Sequence, residues 1–363
     1  MRFLIFLPLF LLLNLLGCQS DETTSELNEV PIFTPGEIIQ FDSAGEYYFS
    51  HLGYGTVVLN DGSVLIPDRT ESKLFKVGSS GELLDVAASG GRGPGEVQDI
   101  TFISKSAHGG VLVYDQGNKK TIFLNENGNY VNEILFPSWE SSNMSEIFEL
   151  NDQYFLLTFQ SFDYLSDPEK EPTASLVLYD RDQNTYTGTR SFAARPYAIT
   201  FRDGASVGGR RVPFTAADIH AYDQQSGKFY LFRSDKNQIA QIDHILEDTL
   251  QTIIVDFNPE PVSNTELREI REDMDSESWK AMQELLPEYK ALADDMLIDH
   301  QQNFWLKLNH SGELQQWLVI STEGEFLQRV QLPEDAMLTH ISKHHLGVRL
   351  NDVTFAFFEP VNL

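Results

Sequence analysis

Asp99, Asp218, His220 and Asp294 are the side chains of this 363-residue chain that come nearest to a reactive centre. Each falls at or near the start of a β-like segment, and Asp295 and His340 are placed similarly. Carboxylates and imidazoles gathered from several strands are the donors that hold Ca²⁺ or Zn²⁺ and activate water. No two of them show metal-ligand spacing, and acidic residues at strand starts commonly satisfy turn amides. His344 and His345 are adjacent, so on a strand their rings leave opposite faces. No Ser-His-Asp arrangement can be inferred from the residues. Cys18 is the only cysteine, so neither a disulfide nor a cysteine nucleophile has a second candidate.

Arginines form the second group. Arg69 and Arg92 lie in turns, and Arg195, Arg202, Arg210 and Arg211 lie in the segment 193–213 beside Tyr197 and Phe201. The planar guanidinium binds carboxylate, sulfate or phosphate through two parallel bonds. Acidic residues number 54 against 26 basic ones, and the net charge is −28. In so acidic a chain, converging arginines make an island of positive potential. They suit an anionic small molecule, a glycan or a peptide terminus; the competing use is pairing with the chain's own carboxylates. The same acidity argues against nucleic acid and against docking on anionic lipid.

The elements that must position these groups show as repeats of about 40 to 45 residues, the spacing of four-strand propeller blades. Blade 1 is Tyr47–Gly90 and blade 2 is Val97–Pro137, joined by Gly90-Gly91-Arg92-Gly93-Pro94-Gly95-Glu96-Val97. In that loop Gly93 and Gly95 supply unusual backbone angles, Pro94 fixes φ, and Glu96 accepts backbone N–H bonds. It opens a strand and lacks a following Lys-Ser/Thr, so it is no phosphate loop. Blade 3 is Met144–Phe192, with an inner strand in FELND, and blade 4 is Phe214–Phe257. Residues 263–293 then break the alternation and read as helix, with Ser263 or Asn264 as N-cap and a second helix over Ser278–Leu286. Blade 5 follows, and the last blade has only three strands, so Gly36–Phe41 is expected to complete it and close the ring. The count is six, or seven if 193–213 hides a degenerate unit.

The N-terminus is a targeting segment. Arg2 precedes an apolar run from Phe3 to Leu16, shorter than the roughly 20 residues of a membrane span. Leu15-Leu16-Gly17-Cys18 resembles the lipobox of bacterial lipoproteins, which implies cleavage before Cys18 and a lipid anchor. Gln19-Ser20-Asp21-Glu22 looks like the acidic signal that sends some Gram-negative lipoproteins to the cell surface, and Gln19, Asp21 and Glu22 carry that likeness.

GRGPGEV, GGVLVYDQGNKKTIFL and NGNY resemble NHL-type repeats. With the lipobox and LPEYKALADDMLID, they resemble a family of six-bladed β-propeller lipoproteins of unassigned function. That family usually has an aromatic residue where this chain has Val97.

The expected protein is therefore all-β. It has a signal peptide (1–17), a lipidated disordered tether (18–35) and a six-bladed, NHL-like propeller (36–363) with a helical insertion between blades 4 and 5. Its expected place is the outer membrane, lipid-anchored and exposed at the surface if the acidic signal acts. The expected role is non-catalytic binding of a ligand or partner protein. Arg69, Arg92, Arg202, Arg210 and Arg211 are the candidate contacts, and no cofactor is needed. The alternative is a lactonase-like hydrolase or lyase with Ca²⁺ or another divalent ion in the central channel, drawing on Asp99, Asp218, His220 and Asp294.

Overall fold

The computed structural model describes residues 26–139, 143–161, 163–165, 170–202, 205–223, 225–243, 248–272, 274–309 and 314–362. The expected signal peptide, Cys18, Gln19, Asp21 and Glu22 lie outside the described residues. Six antiparallel sheets, each built on four strands and that of blade 5 with a fifth added at its edge, follow one another around a ring, making a six-bladed β-propeller. The strands nearest the axis are Val57–Val58, Ile100–Lys105, Asn143–Glu149, Asp218–Asp223, Ala293–Ile298 and Met337–Ile341, for blades 1 to 6. Among the described residues, no helix is long and apolar enough to cross a membrane.

Alternation of apolar residues puts one hydrophobic cluster at each junction between neighbouring blades. Leu65, Leu74, Val111 and Ile122 join blades 1 and 2. Phe155, Val177 and Tyr179 pack toward Leu112 and Tyr114 between blades 2 and 3. Trp305, Trp317, Val348 and Ala356 fill the junction of blades 5 and 6. Closure comes from the N-terminal segment. Glu37–Phe41 is the outer strand of blade 6, with Ile39 opposite Phe357. The Phe41 ring lies 5.8 Å from that of Phe355 and 5.6 Å from that of Phe357. Strands from both ends of the chain thus share one sheet, and the ring has no open seam.

Part of the segment 18–35, expected as a disordered tether, is packed on the ring. Val30 is buried, Leu27 packs on the junction of blades 4 and 5, and Ile32–Phe33 pairs in parallel with the outer strand of blade 5. Branched and aromatic side chains in VPIF find an unpaired edge, so the chain is fixed before residue 36. Segment 193–213 is not a seventh blade. Tyr197–Arg202 and Ala205–Arg211 form a two-stranded hairpin that packs against the second helix.

Two helices fill the insertion. The first, α1 (Asn264–Glu272), opens on a capping box: Glu266 N–H donates to Ser263 Oγ at 3.2 Å, and Ser263 N–H donates to Glu266 Oε2 at 2.8 Å. The second, α2 (Ser276–Gln283), is capped by Asp275 and so starts earlier than Ser278. Met282 of α2 packs with Ala198 and Val212 of the hairpin, which fixes the insertion beside the ring. Lys290, 5% exposed, ties α1 to the blade 5 approach through Glu266 at 3.0 Å and Glu260 at 3.1 Å.

One device in the blades is polar. Asp68 and Asp115 end the second strands of blades 1 and 2, and both are fully buried. Asp115 accepts N–H bonds from Gln98 at 3.0 Å, Asp99 at 2.8 Å and Gly117 at 3.1 Å. Asp68 likewise takes Ser50, His51 and Glu71. Each carboxylate therefore locks the incoming inter-blade connection to the blade's own turn. The loop Gly90–Val97 sits beside this lock. Gly93 N–H donates to Glu96 Oε2 at 2.6 Å, and Lys120 Nζ donates to Gly93 O at 2.7 Å. Gly95 has φ +75°, whereas Gly93 is not in the positive-φ region; its missing Cβ makes room for the Glu96 carboxylate instead. Val97 is fully buried with Leu74 and Ile100.

Candidate functional site: the central channel

The inner strands surround a channel of about 1210 Å³ with side chains from all six blades on its wall. Strand register decides which residues face it. In blade 3 the inner strand is Asn143–Glu149, so it begins earlier than FELND and brings Glu146 to the wall.

Glu146 and His220 make the central contact. The His220 Nε2 and Glu146 Oε2 atoms form a short hydrogen bond between blades 3 and 4. Thr158 Oγ1 donates to the same Glu146 oxygen at 3.1 Å, and Ser145 Oγ contacts Thr158 Oγ1 at 2.8 Å. The His220 ring stacks on Phe229 at 5.5 Å and 18°, with Phe192 against it at 65°. Burial alone would lower the imidazole pKa, but the Glu146 charge and hydrogen bond outweigh it and raise it. Burial also opposes ionisation of Glu146, and His220 with Thr158 reverses this and holds the carboxyl low. Both members therefore favour the charged pair.

Blade 5 contributes Asp294 and Asp295. Arg195, at the base of the hairpin, lies 3.6 Å from Asp294 Oδ2 through Nη1, and its Nη2 donates to the Asp294 carbonyl. The other Asp294 oxygen, Oδ1, is buried without a hydrogen-bond partner among the described residues. Asp295 forms no ion pair among the described residues; burial and the neighbouring Asp294 charge raise its pKa against the smaller opposing effects of Lys307 and Arg195.

On the opposite wall the groups are cationic or neutral. Lys105 ends the inner strand of blade 2 and lines the channel, and no carboxylate pairs with it among the described residues. Burial lowers its pKa, and no neighbouring charge offsets this. His340 contacts Thr56 Oγ1 through Nδ1 at 2.6 Å, while its Nε2 is buried without a partner among the described residues. Burial first, then His345 and Lys105, push its pKa well down, so the ring is neutral. Gly347, opposite it in the ladder, leaves the space its ring occupies.

The structure separates the residues singled out in the sequence. Asp218, His220 and Asp294 line the channel, but Asp99 does not: Arg69 holds it at 2.8 Å and 3.1 Å. Asp218 accepts from Ala193 N–H at 3.1 Å and lies 3.9 Å from Arg233. Of the five arginines named as ligand contacts, Arg211 alone lines the channel. Arg69 is engaged by Asp99, Arg92 and Arg210 are exposed away from the channel wall, and the Arg202 side chain lies outside the described residues. Glu146, Lys105 and Lys307 are channel groups that the sequence did not single out. Lys105 carried a signal, because a lysine closes an otherwise uncharged inner strand in ITFISK.

Comparison with known proteins adds the fold. No family profile matches the chain, and no curated protein does. A member of the DUF4221 family from Bacteroides vulgatus superposes with a TM-score of 0.51 at 8% identity, covering 88% of this chain and 95% of that one. The likeness is one of fold alone. A gluconolactonase from Xanthomonas campestris gives a TM-score of 0.47 at 10% identity, over 90% of this chain and 95% of that one. Virginiamycin B lyase from Staphylococcus aureus gives 0.43 at 10% identity, over 86% and 95%. These two scores are too low to inform the chemistry of this channel.

Proposed function

We propose that this protein is a binding module, lipid-anchored through Cys18 at the outer membrane, whose channel takes a small anionic molecule against Lys105. The observation that carries the proposal is an ammonium group on the channel wall with which no carboxylate pairs among the described residues, in a chain of net charge −28. A half-buried, unpaired ammonium is costly, and its pKa falls for that reason. An incoming carboxylate, sulfate or phosphate supplies the missing charge-assisted hydrogen bond. Thermal unfolding with phosphate, sulfate or succinate tests this. At one hundred times the dissociation constant, binding adds about 2.7 kcal/mol to stability. The expected result is a saturable rise in Tm for at least one anion, lost in Lys105→Met. A rise that persists in Lys105→Met, or none at all, overturns the proposal. The anchor is tested separately by Cys18→Ser, which should move the protein out of the membrane fraction.

A catalytic reading has its own observation, the Glu146–His220 pair. A carboxylate orients the ring through Nε2, stacking fixes its plane, and Nδ1 is left to exchange a proton with a bound molecule. A divalent ion does not fit this wall. Among the described residues no three His, Cys, Asp or Glu side chains are placed to hold one. Glu146 and His220 engage each other, and Asp294 is engaged by Arg195. Catalysis here would thus run through His220 as general acid or base. Turnover of an ester or lactone library by the protein, abolished in His220→Gln, would favour this second reading over binding alone.

A further inference from the structure

The chain enters blade 1 through Gly53-Tyr54-Gly55, at the face of the ring where the inner strands begin. This segment is pinned from two sides. Leu52 N–H donates to Asp352 O at 2.8 Å, and Gly53 N–H donates to Pro67 O at 2.8 Å. A Cβ at Gly53 would stand 2.7 Å from Pro67 Cγ, so glycine is what lets the backbone lie this close to the sheet. Tyr54 lines the channel and is 53% exposed. The Arg349 guanidinium lies over its ring, 5.0 Å from the centre, and is itself held by Leu52 O at 2.7 Å and Asp352 at 3.6 Å. A cation–π contact of this kind steadies the ring while much of its surface stays open. Across the mouth, Tyr197 lines the channel from the hairpin that joins blades 3 and 4.

Just inside the mouth stands a tier of oxygen-bearing side chains. In four blades the inner strand carries one residue that the ladder skips: Thr101 before Phe102, Ser145 before Glu146, Asp294 before Asp295 and Thr339 before His340. A bulge bends its strand and re-aims a side chain, and all of these residues line the channel. Thr56 joins them from blade 1, its hydroxyl 2.8 Å from that of Thr339, and Asp218 opens the inner strand of blade 4. Each blade thus supplies one hydroxyl or carboxylate near the start of its inner strand. The two carboxylates are engaged, Asp294 by Arg195 and Asp218 by the Ala193 N–H. Ser145 is exposed, and its hydroxyl, bonded to Thr158, keeps the capacity to accept a further bond.

We infer that the mouth of the channel binds a saccharide, with one sugar ring stacked on Tyr54 and hydroxyl groups meeting the oxygen tier below it. The C–H face of a sugar ring suits the negative face of an aromatic ring, and the hydroxyls at its edge suit hydroxyl and carboxylate partners. A wholly apolar ligand would cover the tier without bonding to it, at a cost in free energy. This site is separate from the anion site proposed at Lys105. Thr101 is the second residue of the blade 2 inner strand, Ile100–Lys105, whereas Lys105 ends that strand toward the other face of the ring.

Calorimetric titration of the purified protein with maltotriose, cellotriose, laminaritriose and chitotriose tests the inference. At least one of these sugars should bind saturably. Tyr54→Ala should weaken that binding by about tenfold, the order of one aromatic contact, with Tm unchanged because the side chain is largely exposed. Tyr54→Phe should keep the affinity, since the face of the ring rather than its hydroxyl makes the contact. Ser145→Ala should weaken it by about threefold, the size of one modest hydrogen bond. Lys105→Met should leave sugar binding as it was, which keeps this result apart from that of the anion site. No binding by any of these sugars, or binding that Tyr54→Ala leaves intact, overturns the inference. Tyr54-dependent binding of phenol with no sugar bound would overturn it too, and would make the mouth a site for aromatic compounds.

Discussion

The Glu146 carboxylate on blade 3 and the His220 imidazole on blade 4 share a hydrogen bond across the wall of the channel, and each stabilises the charged form of the other. Replacing Glu146 by Gln keeps the shape and removes the charge. The His220 pKa should then fall, because burial, which alone lowers it, is left unopposed. NMR titration of the His220 ring reads this directly. An unchanged titration in Glu146→Gln would mean that the carboxylate does not set the protonation of the ring.

His345 predicts a different pH response. Its ring is buried beside Phe357, and burial first, then His344, lowers its pKa to about 4. An unfolded chain binds the proton near 6.5, so the folded state resists protonation that the unfolded state accepts. Stability is therefore full above about pH 6.5 and is lost as pH falls toward about 4. His345→Gln should flatten that part of the Tm-against-pH curve relative to the parent. Parallel curves for the two proteins between pH 6.5 and 4 would refute the assignment.

Asp115 is expected to matter more to stability than its exposed neighbours. It gathers three or more backbone N–H groups from two segments, and each donor left buried without a partner costs about 1–3 kcal/mol. Asp115→Ala should lower unfolding stability by about 3 kcal/mol, measured by urea denaturation. Arg92→Ala, on the exposed side of the neighbouring loop, should change it by less than about 0.5 kcal/mol.

Lys290 links the helical insertion to the ring. Removing one partner of a buried ion pair leaves the other uncompensated, at about 3–5 kcal/mol. Lys290→Met should therefore speed hydrogen exchange in α1 well before it affects blades 1 and 2. Uniform exchange changes across the whole propeller would argue that the insertion is not a separate unit.

Much of this architecture was legible from the residues. Turn glycines, Asp-bearing turns and β-branched runs recur at blade spacing, and the missing fourth strand of the last blade pointed to Gly36–Phe41, which the Ile39–Phe357 pairing bears out. The parallel strand Ile32–Phe33 was not legible, because two residues give no periodicity and only the free edge of blade 5 recruits them. The site was less visible. Glu146 was hidden by a strand start placed at FELND, and Lys105 gains meaning only from the carboxylate that does not stand beside it. Arg69 attracted notice by its type, yet the partner that decides its role, Asp99, is thirty positions away and is supplied by the fold.

Lys105 is the residue on which the functional account turns, and direct titration of succinate into the protein at low ionic strength is its most direct measurement. The account predicts saturable binding that weakens as salt rises, and a loss of at least tenfold in Lys105→Met with folding unchanged. Binding that is equally tight in Lys105→Met would contradict it.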